Sequence, residues 1–138
     1  MLKETIQNAL NKQINAELYS SYLYLSMSAW CQGNDYRGMA NWFRIQALEE
    51  MVHVDKMGGY IHDRDGRVVL TAIDGPPVDW DSPLAVFKNA LEHEQLVTSL
   101  INDLVDLAAK EKDQATIRFL DWFVNEQVEE EASVSEVV

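Results

Sequence analysis

The chain contains two groups of three polar side chains with identical internal spacing. The second and third members follow the first by 33 and 36 residues: Glu17, Glu50 and His53, then Glu94, Gln127 and Glu130. In each group the last two members lie three residues apart, so on a helix they share one face. All six positions fall on helical stripes that are otherwise largely apolar. Because a buried carboxylate is costly without a neutralising partner, several in one core indicate a bound cation.

The length and composition predict one globular domain spanning residues 1–138. This length is sufficient for a core, and a hydrophobic content of 47% argues against a disordered chain. The longest uncharged stretch, residues 18–34, is too polar and too short to span a bilayer, and the N-terminus lacks the apolar segment of a signal peptide. Cys31 is the single cysteine and cannot form an internal disulfide, which favours a reducing, cytoplasmic location.

The net charge of −12 narrows the possible partners. Nucleic acids and anionic membranes select basic surfaces, so neither is expected to bind. An acidic protein attracts cations, although plain solubility explains the charge equally well.

Apolar periodicity predicts two helices in the first half of the chain, at about 4–31 and 36–63, separated by a break at Gln32-Gly33-Asn34-Asp35. The stripe expected to face inward on the first helix consists of Ile6, Leu10, Ile14, Glu17, Ser21, Leu25 and Ser28. Residues 64–81 contain turn signals and no helical pattern. Extended, they reach on the order of 60 Å, more than the roughly 40 Å length of one such helix, so they can cross the whole bundle.

Two further helices are predicted at about 82–109 and 114–138. Ser82 is an expected N-cap and Pro83 the first helical residue. The inward stripe of the last helix is expected to hold Ile117, Leu120, Phe123, Val124, Gln127, Glu130, Val134 and Val137. Two hairpins joined by one long crossover make an all-α, antiparallel four-helix bundle.

In that bundle the six polar residues can meet in one layer of four carboxylates, one imidazole and one amide. Oxygen donors with a single nitrogen suit iron or manganese better than structural zinc, and bridging carboxylates allow two ions. Taken singly, each residue has an ordinary explanation: a glutamate whose stem packs and whose head reaches water, or a satisfied core histidine. The shared spacing on four helices favours the metal site.

Several further residues are weaker candidates. Tyr24 lies two turns after Glu17 and could hydrogen-bond a ligand, donate an electron or simply pack. Glu49, Glu126 and Glu129 lie one position away from the main ligands and could form a third metal site or a solvated acidic stripe. A redox role for Trp122 is possible, although packing is favoured.

The remaining histidines, methionines and cysteine are assigned no site. His62 and His93 lack matching partners and are expected at the surface. Met51 could ligate haem between subunits, but methionines at helical spacing are usually core residues, so no haem is expected. Cys31 is expected to be an inert thiol.

Four segments carry a resemblance that covers essentially the whole chain: residues 15–20 (NAELYS), 49–53 (EEMVH), 80–84 (WDSPL) and 125–131 (NEQVEEE). In combination they closely resemble the non-haem ferritins of bacterial and archaeal type, within the ferritin-like di-iron bundles. The resemblance implies an iron-storage protein that oxidises Fe(II) with O2 or peroxide. It also implies a homo-oligomeric shell, expected to be a 24-mer, that stores the ferric mineral.

The resemblance also assigns roles to individual residues. It implies that the first iron is held by Glu17, Glu50 and His53, and that Glu50 bridges to a second iron held by Glu94 and Glu130. Gln127 and Tyr24 would lie beside the centre. A possible third iron site would be formed by Glu49, Glu126 and Glu129, with Glu130 shared.

Some features depart from related families or from the family itself. Bacterioferritins and rubrerythrins carry Glu-x-x-His in both halves, whereas this chain has Gln127-x-x-Glu130, and Cys31 alone cannot form the four-cysteine module of rubrerythrins. Ferritins usually carry about 25 further residues that include a fifth helix, so shell assembly is in question. Two alternative functions stay open: a metal-binding shell subunit without oxidase activity, and a rubrerythrin-like peroxidase.

Overall fold

Four long helices and no strands make up the computed structural model, which describes all residues from 1 to 138. They are α1 (Glu4–Gly33), α2 (Arg37–Asp63), α3 (Pro83–Lys110) and α4 (Gln114–Val137). Each consists mainly of good helix formers with apolar residues at three- and four-residue intervals. The predicted all-α bundle with one long connection is therefore confirmed. None of the helices carries the extended apolar run that crossing a membrane would require.

Short turns join the helices into two hairpins, and local side chains define the ends of the second one. At the start of α3, the Ser82 side chain accepts a hydrogen bond from the backbone N–H of Ala85 at 3.1 Å. At the start of α4, Asp113 caps Thr116 in the same way, also at 3.1 Å. These caps satisfy backbone donors that have no partner inside the helix, and so they fix where each helix begins.

The connection between α2 and α3 lies along α1 and is held there by polar side chains. Asn11 Nδ2 donates to the carbonyl oxygen of Arg67 at 2.9 Å, and Asn15 Nδ2 donates to that of Ala72 at 3.0 Å. Because residue numbers increase together in these contacts, the connection runs in the same direction as α1. It therefore returns the chain to the far end of the bundle, and α3 runs parallel to α2.

The apolar core consists of two clusters of 11 buried residues each. One includes Ile14, Met57, Val97 and Phe123, and the other includes Leu23, Ala47, Ala90 and Val134. On every helix the predicted polar positions fall between members of the two clusters. The fold thus places a polar layer across an otherwise apolar interior.

Three expectations about orientation were wrong. Leu25 and Val137 were expected to face inward, but both are 49% exposed. Leu25 lies eight residues after Glu17, about 80° around the helix, which turns it out of the core. Val137 is the last helical residue, beyond the buried Val134. His93 was expected at the surface, but it is only 9% exposed because α1 packs against this side of α3.

Candidate metal centre

All six residues of the two equally spaced groups are buried in one layer of the bundle: Glu17, Glu50, His53, Glu94, Gln127 and Glu130. Each helix contributes because the 3.6-residue repeat turns these positions inward along with the apolar residues around them. No lysine or arginine is buried with them. Four carboxylates are therefore buried together, and His53 is the only group among the six residues that can carry a positive charge.

The first hairpin brings Glu17, Glu50 and His53 into one group. His53 Nδ1 lies 3.3 Å from Glu17 Oε2 and 3.1 Å from Glu50 Oε2. One ring nitrogen cannot donate well to both, and Glu50 Oε2 is left buried without a hydrogen bond. Ligand atoms of the three residues lie within 4.8 Å of one another. An unsatisfied buried oxygen in such a group is the feature that a bound cation would complete.

A second group shares the same histidine. Ligand atoms of His53, Glu126 and Glu130 also lie within 4.8 Å of one another. Both groups offer carboxylate oxygens with one imidazole nitrogen and no sulfur, a donor set that suits iron or manganese. Divalent cations are therefore the partners that this chemistry fits.

Glu94 belongs to neither of these two groups of ligand atoms. Its carboxylate instead accepts hydrogen bonds from two neighbouring side chains. The Tyr24 hydroxyl donates to Glu94 Oε1. Gln127 Nε2 donates to Glu94 Oε2 at 3.1 Å and to its carbonyl oxygen at 3.2 Å. Both flanking candidates therefore contact the same predicted ligand and fix its orientation.

Burial and the interaction between the two carboxylates shift the pKa values of Glu17 and Glu50 in opposite directions. Burial, the hydrogen bond with Glu17 and the charges of nearby carboxylates raise the pKa of Glu50 well above its usual value. Burial also opposes ionisation of Glu17, but hydrogen bonds from Glu50, His53 and Gln13 outweigh it and hold its pKa below the usual range. Without a cation the two buried carboxylates therefore resist being ionised together.

The other carboxylates of the layer are also hard to ionise. Burial and the charges of Glu94 and Glu49 raise the pKa of Glu130 to about 8. Burial raises the pKa of Glu94, although hydrogen bonds from Tyr24 and Gln127 partly offset it. These raised pKa values reflect burial together with closely spaced negative charges, an arrangement that a cation stabilises.

The candidate third metal site, formed by Glu49, Glu126 and Glu129, is only partly assembled beside this layer. Glu126 is half-buried and approaches His53, whereas Glu49 and Glu129 are exposed and belong to neither group of ligand atoms. The Trp122 ring packs edge-on against His53, with centroids 5.3 Å apart, and Lys56 Nζ lies 4.4 Å from the Trp122 centroid. Trp122 therefore covers His53 on the α2–α4 side.

Two residues near the layer were missed from the sequence. Gln13 Nε2 donates to Glu17 Oε1 at 3.2 Å, and its position one turn before Glu17 is a signal that could have been used. His93 Nε2 lies 2.6 Å from Ser20 Oγ, a contact between two helices that no local spacing reveals.

A buried, carboxylate-rich layer with one imidazole, spanning four helices, defines a candidate metal-binding four-helix bundle. The family model described as the ferritin-like domain matches residues 7–138. The chain belongs to this family, among the non-haem ferritins of bacterial and archaeal type.

Individual relatives agree with that assignment. The chain is 48% identical over 138 residues to a bacterial non-heme ferritin of Bacteroides fragilis, covering 100% of this chain and 87% of the relative. It is 46% identical over 132 residues to that of Staphylococcus saprophyticus, covering 96% and 79%.

Solved structures show the same fold. An open-pore ferritin from the hyperthermophilic archaeon Archaeoglobus fulgidus matches with a TM-score of 0.98 and 50% identity over 99% of this chain and 85% of that one. A Chlorobium tepidum ferritin matches with a TM-score of 0.96 and 40% identity over 99% and 84%.

Proposed function

We propose that this protein is an iron-storage ferritin subunit that oxidises Fe(II) to Fe(III) within its own helical bundle. One observation carries the proposal: Glu17, Glu50 and His53 form a buried ligand group in which Glu50 Oε2 has no hydrogen-bond partner. A purely structural core has no use for such a group, because it costs stability unless a cation completes it.

The proposed ligands divide between two iron positions. Glu17, Glu50 and His53 would bind the first Fe(II). Glu94 and Glu130 would bind the second Fe(II). Glu50 would bridge the two ions, because its carboxylate is buried in the same layer and interacts with the charges of Glu94 and Glu130. Tyr24 and Gln127 orient Glu94 through their hydrogen bonds.

The proposed reaction is a two-electron oxidation of two Fe(II). With O2, each Fe(II) loses one electron and O2 takes both together with two protons, giving H2O2. The carboxylates stabilise the higher charge of Fe(III), since anionic oxygen donors favour the more highly charged ion. Apolar clusters on both sides of the layer exclude bulk water and strengthen that electrostatic effect.

A third iron position is proposed beside the pair. Glu126 already approaches His53 and Glu130, and the charge of Glu49 acts on Glu130. Glu49 and Glu129 are exposed neighbours in sequence of the layer residues Glu50 and Glu130. Both exposed side chains are free to turn towards an ion. This position would receive iron from solvent or pass Fe(III) towards storage.

Shell assembly is also part of the proposal. Apolar side chains on one stretch of α2 are exposed in the single chain: Ile45, Leu48, Met51 and Val52. Exposed apolar residues concentrated on one helix are typical of a subunit interface. We expect a homo-oligomer, and a 24-subunit shell would provide the cavity for mineral.

Rapid mixing of the metal-free protein with two Fe(II) per chain in air tests the oxidase activity. Wild type should oxidise Fe(II) rapidly. His53→Ala should slow the reaction by more than the roughly 10- to 100-fold that outer-shell changes cost. His62→Ala, an exposed histidine on the same helix, is the matched control and should retain the wild-type rate.

The alternatives predict different results. Binding of Fe(II) without rapid oxidation in wild type would identify a shell subunit that lacks oxidase activity. Turnover of an organic reductant with peroxide, and no stored ferric core, would identify a rubrerythrin-like peroxidase. Oxidation at the wild-type rate by His53→Ala would refute the assigned centre.

A further inference from the structure

A groove between α1 and α3 ends at a buried histidine that the proposed iron chemistry does not use. Its volume is about 260 Å³, and six of its nine lining residues are hydrophobic. His93 and Tyr19 line it together with Ala16, Leu96 and, from the crossover, Asp74. Since a water molecule occupies about 30 Å³ of liquid, several molecules of that size fit inside.

His93 presents one ring nitrogen to this groove. Its Nε2 lies 2.6 Å from Ser20 Oγ, whose hydroxyl also lies 3.0 Å from the carbonyl oxygen of Ala16. The serine hydroxyl can accept from Nε2–H or donate to Nε2, so Nε2 is engaged with Ser20 in either tautomer of the ring. The other ring nitrogen, Nδ1, has no hydrogen-bond partner in the protein and keeps some solvent exposure. The ring is nonetheless about nine-tenths buried, so only a small molecule in the groove can reach this nitrogen.

The histidine lies one aromatic ring away from the polar layer. Its centroid is 6.1 Å from that of Tyr24, with the two rings edge to face. The Tyr24 hydroxyl in turn donates to Glu94, which follows His93 in the chain. The His93 ring therefore contacts both the groove and Tyr24, which orients Glu94 at the second proposed iron position.

We propose that this groove is a hydrogen-peroxide site, with His93 Nδ1 as its hydrogen-bonding anchor, through which peroxide reaches the proposed iron centre. H2O2 is small, neutral, and both a donor and an acceptor, so it can complete a hydrogen bond with Nδ1 in either protonation state of the ring. O2 cannot make that bond. Anionic oxidants are disfavoured by Asp74 in the groove wall and by the net charge of −12.

The inference rests on the proposed function and specifies its oxidant. In the balanced step, the O–O bond of H2O2 breaks, two Fe(II) each supply one electron, and two protons are taken up to give two water molecules and two Fe(III). The groove supplies only binding and access. His93 is thus a substrate-binding residue for the peroxide reaction and has no assigned role with O2.

Filling the groove tests this directly. Ala16→Phe places a ring beside His93, and Ala9→Phe is the matched control because Ala9 is a half-buried alanine seven residues earlier on α1, outside this groove. Fe(II) oxidation is followed without air over a range of H2O2 concentrations, and separately over a range of O2. Ala16→Phe should raise KM for H2O2 about tenfold with little change in kcat, and leave KM for O2 within twofold. Ala9→Phe should match wild type with both oxidants.

Other outcomes would contradict either the peroxide site or the proposed oxidation of iron. An unchanged KM for H2O2 in a folded Ala16→Phe, or an equal rise with both oxidants, would contradict a peroxide site. A wild-type protein that oxidises Fe(II) with neither oxidant would instead refute the proposed function.

Binding to the metal-free wild-type protein supplies a test that needs neither iron nor a variant. With ¹⁵N-labelled histidine, the protein has three imidazoles to observe: His53, His62 and His93. Titration with H2O2 should shift the Nδ1 resonance of His93 saturably and leave that of the exposed His62 unchanged. No shift at His93, or equal unsaturable shifts at both, would overturn the inference whatever the iron assays show.

Discussion

Gln127 on α4 donates from one nitrogen to both the carboxylate and the main-chain carbonyl of Glu94 on α3, at 3.1 and 3.2 Å. Gln127→Leu removes this donor while keeping most of the volume. The second equivalent of Fe(II) should then bind about tenfold more weakly, as is usual when an outer partner of a ligand is lost. Anaerobic calorimetry measures both equivalents, and the exposed Gln95→Leu is the control. Unchanged affinity for both equivalents in Gln127→Leu would contradict a ligand role for Glu94.

Tyr24 supplies the other hydrogen bond to Glu94. Tyr24→Phe leaves a buried carboxylate oxygen without a donor, so the metal-free protein should lose about 1–3 kcal/mol of unfolding free energy. Urea unfolding of the metal-free protein measures the loss. Tyr22→Phe, which changes an exposed tyrosine two residues away, should cost almost nothing. Equal effects of the two substitutions would show that the buried hydrogen bond contributes no stability.

The raised pKa of Glu130 gives the metal-free protein a defined pH dependence. Burial and the charges of Glu94 and Glu49 raise that pKa to about 8, against about 4.3 in an unfolded chain. At pH values between these two pKa values, the folded state binds one proton more than the unfolded state. The contribution to stability is therefore greatest below the unfolded pKa and falls as pH rises towards the folded pKa. One proton accounts for at most about 1.4 kcal/mol per pH unit.

Glu130→Gln isolates that contribution. Urea unfolding from pH 5 to 8 should show a shallower decline in the variant than in wild type, with the difference closing at the acidic end. Parallel curves would mean that Glu130 is not held neutral by its surroundings. Added Fe(II) should raise the stability of the wild-type protein at pH 7, because the bound ion supplies a positive charge that neutralises the buried carboxylates.

The layer could be located from the sequence because periodicity and repeated spacing agree. The 33- and 36-residue intervals turn all six side chains to the same level of four helices, and all six are buried. Helix ends were readable where local chemistry defines them, as at Ser82 and Pro83. Such signals depend on neighbours within one turn, which the sequence displays directly.

Contacts between separate helices could not be read in the same way. His93 is buried because α1 covers it, and its Ser20 partner is 73 residues away. The hydrogen bonds that hold Glu94 outside both ligand groups likewise depend on how α1 and α4 pack against α3. Spacing also gave no measure of exposure for Glu49 and Glu129, which are exposed although their neighbours in the chain, Glu50 and Glu130, are buried.

Asp113 tests the fold independently of the metal layer. It caps α4 through Thr116 and pairs with Arg64 at 3.2 Å, so Asp113→Ala should cost about 1–2 kcal/mol. Although burial opposes ionisation, hydrogen bonds from Thr116 and Arg64 hold the pKa of Asp113 below its usual value. Its contribution is therefore present at neutral pH and lost as pH falls below about 4. Thermal unfolding of Asp113→Ala against the exposed Asp121→Ala measures the effect, and equal melting temperatures would exclude the cap.

Anomalous X-ray diffraction from crystals soaked in ferrous salt without air tests the central claim most directly. We predict two iron peaks within the polar layer, one among Glu17, Glu50 and His53 and the other between Glu94 and Glu130. In His53→Ala crystals the first peak should be lost or strongly weakened. Wild-type crystals with no iron between these residues, or with iron only at exposed carboxylates, would contradict an iron-oxidising centre inside the bundle.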